Sequence, residues 1–290
     1  GARYLQRMDI VQQVETTMSG IVQTMKQDVQ TSQDFGLAVL SERPDGGRDV
    51  ELDFLSMQMT VSAGDRVQMS FDSGGESLDG NKNPMAELFR NMVGTRIKFI
   101  LDASNQVVRL DGLQDFRNRV LTNSPTQARA SMSQMLSEDY FKQMINFGQG
   151  LPNQPVRPGD SWPVATEVAI GPLGIMQLNL QYIFKGFEQR DKRQCALLEF
   201  SGIVKSKPGR EAASPNIKMS IDQGTTAGQS WFDPEVGMVI ASEINQDMTM
   251  NIELGLQQPA GSNATSAPRS MTTKIKQTIH LSVKPETSTQ

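Results

Sequence analysis

The stretch MQLNLQYIF, residues 176–184, decides the fold, because apolar side chains stand at every second position. Successive side chains of a strand point to opposite faces, so this pattern predicts a strand with one apolar and one polar face. One-sided alternation is typical of antiparallel sheets, since the strands of parallel sheets are apolar on both sides. The stretch therefore predicts an antiparallel sheet with one face in water.

The same two-residue period occurs in both directions from this stretch. It is found in residues 50–71, 196–200, 248–254 and 275–283. A change of phase near Phe54 predicts a β-bulge, and the polar residues Ser62–Asp65 predict the turn of a long hairpin. Residues 18–33 also fit a helix, but their Thr and Val content favours a strand. Strands are therefore expected in both the first and the last third of the chain.

The period changes to that of a helix in the middle of the chain. Asn83 followed by Pro84 predicts a helix start, because Asn can cap free backbone N–H groups and Pro fits the first turn. Gly94 predicts the end of this helix. Further helical patterns begin near Leu113, Ser124 and Ser137. A central block of three or four helices is expected.

Together these patterns predict an α+β protein: a large, strongly curved antiparallel sheet, resembling an unclosed barrel, with the helices on its concave side. The chain of 290 residues forms either a single domain over residues 1–290 or two intimate halves. The halves would be residues 1–150, with the N-terminal sheet and the helices, and residues 151–290, with the C-terminal sheet. Residues 94–108 and 228–239 share a hairpin pattern in which the Asp of the turn, Asp102 or Asp233, is expected to cap its own turn, and the repeated pattern is consistent with two half-sheets.

Composition and charge argue against several kinds of partner. The net charge is −4 and no dense cluster of Lys and Arg is present, so a nucleic-acid partner is not expected. No run of 18 apolar residues occurs, so no transmembrane segment is expected. The chain begins at Gly1 rather than Met, which is compatible with a removed signal or lipoprotein leader. Cys195 is the only cysteine, and we expect it to be buried.

The stretch LPNQPVRPGDSWPV, residues 151–164, contains Gly-Asp-Ser, a setting in which Ser161 could be the nucleophile of a hydrolase. Such a serine needs an oriented base. The only histidine, His280, has Gln277 three residues before it, where that class of hydrolase has Asp. We therefore predict no catalytic residue and expect Ser161 to begin a strand after a tight turn. A hydrolase with paired carboxylates is the remote alternative, since such pairs have no sequence signature.

Metal and cofactor sites are not predicted either. One histidine and one cysteine are too few for a site built from these ligands. Asp45, Asp49, Glu51 and Asp53 could bind calcium weakly, but the last three fall on one strand face and are expected to be solvated. Methionine pairs such as Met248 with Met250 could ligate copper(I), although core packing is their commoner role. No cofactor is expected.

Methionine and phenylalanine dominate the predicted central helices and form an adaptable apolar surface. In one interpretation the helices fill the concave side of the sheet. In the other, helices and sheet leave a cavity for a lipid-like ligand. The six side chains expected to line that cavity are Phe89, Met92, Met132, Met135, Phe141 and Met144.

The hairpin SWFDPEVGMV, residues 230–239, and the stretch 151–164 resemble a family of exported bacterial proteins, some of them lipoproteins, that carries no assigned activity. More remotely, the order of sheet, helices and sheet is similar to that of lipoprotein carriers of the LolA and LppX type. Those carriers form an unclosed barrel covered by helices, and one of their strands also includes F-D-P-x-x-G. The resemblance implies an exported protein in the periplasm, anchored at the outer membrane, or outside the cell.

These observations predict a non-enzymatic envelope protein that binds an apolar, lipid-like ligand or a partner protein. The alternative is a structural or assembly module that docks a partner through a sheet edge or its loops. A filled core beneath the helices would favour the module. An open apolar cavity would favour the ligand-binding protein.

Overall fold

The computed structural model describes residues 2–20, 24–75, 84–122, 136–138, 141–142, 150–152, 154–169, 175–207, 217–254 and 269–286. Within these ranges the N-terminal strands are β1 (Arg3–Met18), β2 (Thr24–Glu42), β3 (Arg48–Ala63), β4 (Arg66–Asp72), β5 (Arg96–Leu101) and β6 (Val107–Asp111). The C-terminal strands are β7 (Ser161–Ala169), β8 (Ile175–Arg190), β9 (Arg193–Ser206), β10 (Ile217–Asp233), β11 (Met238–Leu254) and β12 (Arg269–Pro285). The helices are α1 (Pro84–Met92) and α2 (Leu113–Leu121).

All twelve strands belong to one antiparallel sheet, which confirms the predicted fold class. The strand order is β6-β5-β3-β2-β1-β12-β11-β10-β9-β8-β7, with β4 paired only to β3. The first and last strands of the chain, β1 and β12, pair from Tyr4 and Pro285 to Met18 and Met271. Within the described residues β6 and β7 are left as edge strands, so the sheet is unclosed.

Contacts between distant strands show that the sheet is strongly curled. β3 and β10 are five steps apart in the strand order, which in a flat sheet would separate them by about 24 Å. Yet Arg48 Nη1 in β3 donates a 3.1 Å hydrogen bond to the carbonyl oxygen of Val236, in the turn after β10. The β10–β11 hairpin therefore folds back over the N-terminal strands.

One face of the sheet, here called the inner face, carries most of the buried apolar side chains. In β1 the even-numbered residues from Tyr4 to Met18 are buried or half-buried on this face. Leu5 and Val11 point to the opposite, outer face and are exposed. The main core lies at one end of the inner face, where β1, β2, β3 and β5 meet the tip of the β9–β11 region. Its buried side chains include Leu37, Leu52, Phe99, Trp231, Ile240 and Val283.

The two helices cover the main core, but the expected block of three or four helices is overstated. α2 buries Phe116 and Val120. Phe141 is also helical, and its N–H donates to the carbonyl oxygen of Ser137 at 3.1 Å. Most of the other positions of the helices expected near Ser124 and Ser137 lie outside the described residues. Each described helix has nine residues, too few to be stable without the sheet, so helical periodicity alone overestimates the helical content.

Several local predictions are confirmed. The register between β2 and β3 shifts at Phe54, where Leu55 is the extra residue of a bulge. α1 begins at Pro84, and Gly94 has a φ of +73°, the left-handed conformation that ends a helix. Among the described residues, neither helix has the length and apolar character needed to cross a membrane.

Candidate functional site

The Gly-Asp-Ser stretch is a turn that leads into β7, as predicted. Gly159 has a φ of +95°, and the Arg157 N–H donates to Asp160 Oδ2 at 2.7 Å. Ser161 is the first residue of β7, whereas His280 is exposed on the outer face of β12, five strands away. Ser161 and His280 therefore do not form a nucleophile and base.

The acidic residues of β3 form ion pairs with basic residues of β5, whereas the sequence pattern predicted that they would be solvated. Lys98 Nζ lies 2.7 Å from Asp49 Oδ2, and Arg96 Nε lies 3.1 Å from Asp53 Oδ2. The hydrogen bond from Lys98 lowers the pKa of Asp49 below its usual value. Within the described ranges, no group of three or more His, Cys, Asp or Glu residues is placed to hold a metal ion.

A buried charged cluster joins β9 to the β10–β11 turn. Asp233 is only 1% exposed, and its Oδ1 accepts the N–H groups of Glu235 (2.9 Å) and Val236 (3.4 Å), so this Asp caps its own turn as predicted. Its Oδ2 accepts a 2.8 Å hydrogen bond from Arg193 Nη1, which raises the pKa of Arg193. Cys195 is buried beside this pair, as expected, and burial raises the pKa of its thiol. The cluster is therefore fully partnered and holds the two hairpins together.

The residues predicted to line an apolar cavity lie in or beside the main core, as far as they are described. Phe141 is fully buried edge-on against Phe116, with ring centres 5.5 Å apart. Phe89 and Met92 are half-buried against the same core. The other three, Met132, Met135 and Met144, lie outside the described residues. The role of these six side chains in ligand binding stays a prediction.

Aromatic rings pack against one another beneath α2. Phe116 stacks on Phe54 with ring centres 5.3 Å apart, and Phe54 meets Phe35 edge-on at 5.5 Å. Among the described residues, a cavity of about 30 Å³ lies at this end of the sheet, lined by side chains that include Leu37, Val50 and Met238. That volume holds one or two water molecules and is too small for a lipid chain.

The inner face beyond the core carries apolar side chains in rows across β1, β12 and β11, here called the apolar rungs. The rungs are Ile10–Ile279–Ile244, Val14–Ile275–Met248 and Met18–Met271–Ile252. All of these residues except Met248 keep part of their surface exposed. Apart from Ile244 and Met248, none belongs to a hydrophobic cluster of the described residues. From Ile10 to Met18 the rungs extend about 27 Å along the strands and about 10 Å across them.

A row of glutamines, here called the glutamine rung, crosses the inner face between the first two apolar rungs. Gln12 Nε2 donates to Gln277 Oε1 at 2.6 Å, and Gln277 donates in turn to Gln246 Oε1. The next residue across the sheet is Thr226 of β10, which pairs with Gln246 and is 3% exposed. Periodicity placed Gln277 in a strand but indicated no strand at Thr226, and no local signal could place Gln12 beside Gln277.

A groove of about 780 Å³ crosses the outer face over β1, β12, β11, β10 and β9. Most of the residues that line it are polar, and Lys276 and Asp247 are 3.9 Å apart while Thr278 Oγ1 donates to Asn245 at 2.9 Å. Most of its exposed lining surface is nevertheless apolar. Val11 and Ile203 add exposed apolar surface. The groove lies on the polar side of the alternation, and for that reason it was not predicted.

A second aromatic core lies on the inner face at β7–β9. The ring of Tyr182 stacks between Trp162 (6.1 Å) and Phe200 (5.1 Å). Burial raises the pKa of Tyr182 to about 12. Because the charged phenolate is disfavoured there, this tyrosine stays neutral in the folded state at pH values where an unfolded tyrosine ionises.

The burial of Tyr182 is expected to make the protein less stable at alkaline pH. The unfolded tyrosine loses its proton near pH 10 and the folded one near pH 12, so the stabilisation is complete below pH 10 and is lost between these values. The loss has an upper limit of about 1.4 kcal/mol per pH unit. Urea unfolding at several pH values tests this, with Tyr182→Phe as the control. Equal alkaline losses in both proteins would contradict the assignment.

The fold and its surfaces define a protein built on one unclosed antiparallel sheet, with short helices over one end and an apolar inner face at the other. The chain belongs to a family of unknown function, DUF6263, whose model matches residues 45–239. These residues include both stretches that carried the family resemblance, so the expectation of a family without assigned activity is confirmed. No match is found among curated proteins.

The solved structures that match this chain share little sequence with it. A structure of lipovitellin, concerned with its lipid–protein interactions, matches at a TM-score of 0.46 and 7% identity and covers 100% of this chain. This chain spans only 26% of the lipovitellin chain. A DUF1329 protein from Desulfovibrio piger matches at a TM-score of 0.15 and 10% identity. The match covers 98% of this chain and 87% of that chain.

A putative outer membrane lipoprotein-sorting protein domain from Vibrio parahaemolyticus matches at a TM-score of 0.14 and 8% identity, with 100% of this chain and 87% of that chain covered. Because these scores and identities are low, a function for this chain has to be argued from its own residues.

Proposed function

We propose that this protein binds an apolar, lipid-like ligand on the apolar rungs of the inner face, without catalysing a reaction. The observation that carries the proposal is the partial exposure of eight of the nine rung residues. Aliphatic side chains and methionines in register make an apolar strip of three rows, which the glutamine rung and the pair Thr16–Thr273 separate from one another. Exposed apolar rows grouped on one face mark a binding site more often than single exposed residues do.

The dimensions and composition of the strip suit a single alkyl chain. Its length of about 27 Å exceeds the roughly 15 Å that one leaflet of a bilayer's hydrocarbon core measures. Met18, Met271 and Met248 have flexible, unbranched side chains that can adapt to ligands of different shape. The ligand would therefore lie along the strands and be held by shape-tolerant contacts.

We further place the protein in the bacterial envelope, as an exported protein. The family resemblance of residues 151–164 and 230–239 supports this location. The single thiol, Cys195, is buried, which suits a compartment where an exposed thiol would be oxidised. A partner in the envelope would then receive or deliver the ligand.

Val14 and Val11 allow a matched test of the proposal. Both are valines of β1, but Val14 belongs to an apolar rung and Val11 is exposed on the outer face. Val14→Asp is expected to weaken binding of the fluorescent probe N-phenyl-1-naphthylamine by about tenfold or more, because it places a charge against an apolar ligand. Val11→Asp is expected to leave the affinity within about twofold.

Probe titrations of the wild type and both variants measure these affinities, with circular dichroism to confirm that each variant folds. A wild type that takes up no probe, or equal losses in the two variants, would overturn the proposal. Phe89→Asp extends the test to the side chains predicted beside the helices. Its effect would show whether the ligand reaches the main core.

The aromatic packing beneath α2 supports a second candidate, a structural module that docks a partner. In that case the inner face would be covered by protein rather than by a small ligand. If the protein is such a module, the wild type is expected to take up no probe. Its mass is expected to change when it is mixed with the envelope fraction, because a partner binds. The probe titration therefore separates the two candidates.

A further inference from the structure

The glutamine rung and Thr226 carry an inference about the class of ligand, and this inference rests on the function proposed above. An amide row in the middle of an apolar face is unfavourable unless its hydrogen-bonding groups are paired. The bonds from Gln12 to Gln277 and from Gln277 to Gln246 pair part of the row. At the β11 end, the Gln246 amide has hydrogen-bonding capacity that no described residue uses, since each amide offers two N–H groups and one carbonyl.

Thr226 continues the row across the sheet. Its hydroxyl oxygen, Oγ1, is buried and has no hydrogen-bond partner among the described residues. A buried hydroxyl without a partner is uncommon in native proteins and indicates a missing water molecule or ligand group. This hydroxyl lies directly across from the amide of Gln246, the residue opposite Thr226 in the register of β10 and β11.

Apart from Gln246, no neighbouring residue of the described sheet offers Thr226 a hydrogen-bonding side chain. The residue opposite Thr226 in β9 is Gly202, and the residues two positions away along β10 are Gly224 and Gly228. Larger residues do not fit at these positions. A Cβ at Gly202 would collide with the carbonyl oxygen of Asn179, and one at Gly224 would lie 2.6 Å from that of Val204. In the described sheet the positions around the Thr226 hydroxyl therefore carry no hydrogen-bonding side chain other than that of Gln246.

The surroundings of the rung define the charge of the missing group. From residue 10 to 18 in β1, 271 to 279 in β12 and 244 to 252 in β11, every inner-face residue is uncharged. Lys276 and Asp247 belong to the outer face. A carboxylate or phosphate held here would have no countercharge, whereas a neutral oxygen group could pair with the hydroxyl and the amide.

We propose that the ligand is a neutral amphiphile, of the fatty-acyl ester or fatty alcohol class, whose uncharged oxygen group hydrogen-bonds Thr226 and Gln246. Its alkyl portion lies on the apolar rungs. The polar group is thus held within the inner face rather than at its rim. The protein would then select its ligand through this one hydrogen-bonding position, while the apolar rungs accept alkyl chains of different shape.

Displacement of N-phenyl-1-naphthylamine by methyl palmitate, hexadecane and palmitate tests this inference. The wild type is expected to prefer methyl palmitate to hexadecane by about tenfold, the equivalent of one net hydrogen bond. Thr226→Val, which replaces the hydroxyl with a methyl group, is expected to remove this preference while the affinity for hexadecane stays the same. Gln246→Leu is expected to reduce the preference as well.

The outcomes separate the inference from the proposed function. If the probe does not bind the wild type, the proposed function fails. If it binds but the wild type does not prefer the ester, a water molecule satisfies Thr226 and the inference fails alone. An ester preference that persists in Thr226→Val, or stronger binding of palmitate than of the ester, would also overturn the inference. Urea unfolding of Thr226→Val without ligand checks that the variant folds, and removal of an unpaired hydroxyl should not destabilise it.

Discussion

Replacing Phe116 with alanine is expected to lower the free energy of unfolding by about 3–5 kcal/mol, the usual cost of deleting a buried aromatic ring. Phe116 projects from α2 into the main core and is almost fully buried. Its ring contacts Phe54 of β3 on one side and Phe141 on the other. The truncation would therefore leave a cavity where α2, the sheet and Phe141 meet. Urea unfolding followed by tryptophan fluorescence measures the loss.

Phe187→Ala is the matched control for this prediction. Phe187 is 57% exposed on β8, and its ring contacts Phe184 at 5.3 Å. Its truncation is expected to cost less than about 1 kcal/mol, since most of its surface is already in water. Similar losses in the two variants would show that the core under α2 is not the main source of stability.

Features that depend on local sequence were predictable. The alternation of residues 176–184 predicted β8, and the Asn83-Pro84 pair predicted the start of α1. Asp233 was predicted to cap its own turn because an Asp side chain accepts N–H groups two residues on. Each of these signals lies within a few residues of the structure it specifies, so no knowledge of the tertiary fold is needed.

Strand neighbours that are distant in sequence were not predictable. β3 pairs with β4, its hairpin partner, over one half of its length and with β5 over the other half. The second pairing brings Lys98 to Asp49, and no local pattern indicates that contact. The same reason explains the glutamine rung, because Gln12 and Gln277 are 265 residues apart in the chain.

In the candidate site, too, local features were predictable and contacts between distant strands were not. Met248 and Ile275 were recognised as strand residues, but only the register of β11 with β12 places them in one apolar rung. Adaptable apolar surface was predicted on the helices instead, because helical periodicity concentrates Met and Phe there. Phe141 is almost fully buried in the main core, and a periodic pattern cannot distinguish such a position from a cavity wall. Burial of an apolar side chain depends on what packs against it.

Replacing Asp233 with alanine is expected to cost about 3–5 kcal/mol of stability, because it leaves Arg193 without its carboxylate partner in a largely buried setting. The change also removes the acceptor for the N–H groups of Glu235 and Val236. Asp102→Ala is the matched control, because Asp102 caps the β5–β6 turn through the N–H groups of Ser104 and Gln106 but keeps part of its surface in water. The control is expected to cost about 1 kcal/mol.

The comparison of these two aspartates separates the turn from the ion pair. Both accept two backbone N–H groups in a hairpin turn, so the turn contribution is common to them. The excess loss in Asp233→Ala then measures the cost of leaving Arg193 unpaired. Asp233→Leu combined with Arg193→Met is expected to recover part of that loss, since apolar groups can replace a buried pair. Equal losses for Asp233→Ala and Asp102→Ala in urea unfolding would show that Arg193 is solvated well enough to need no partner.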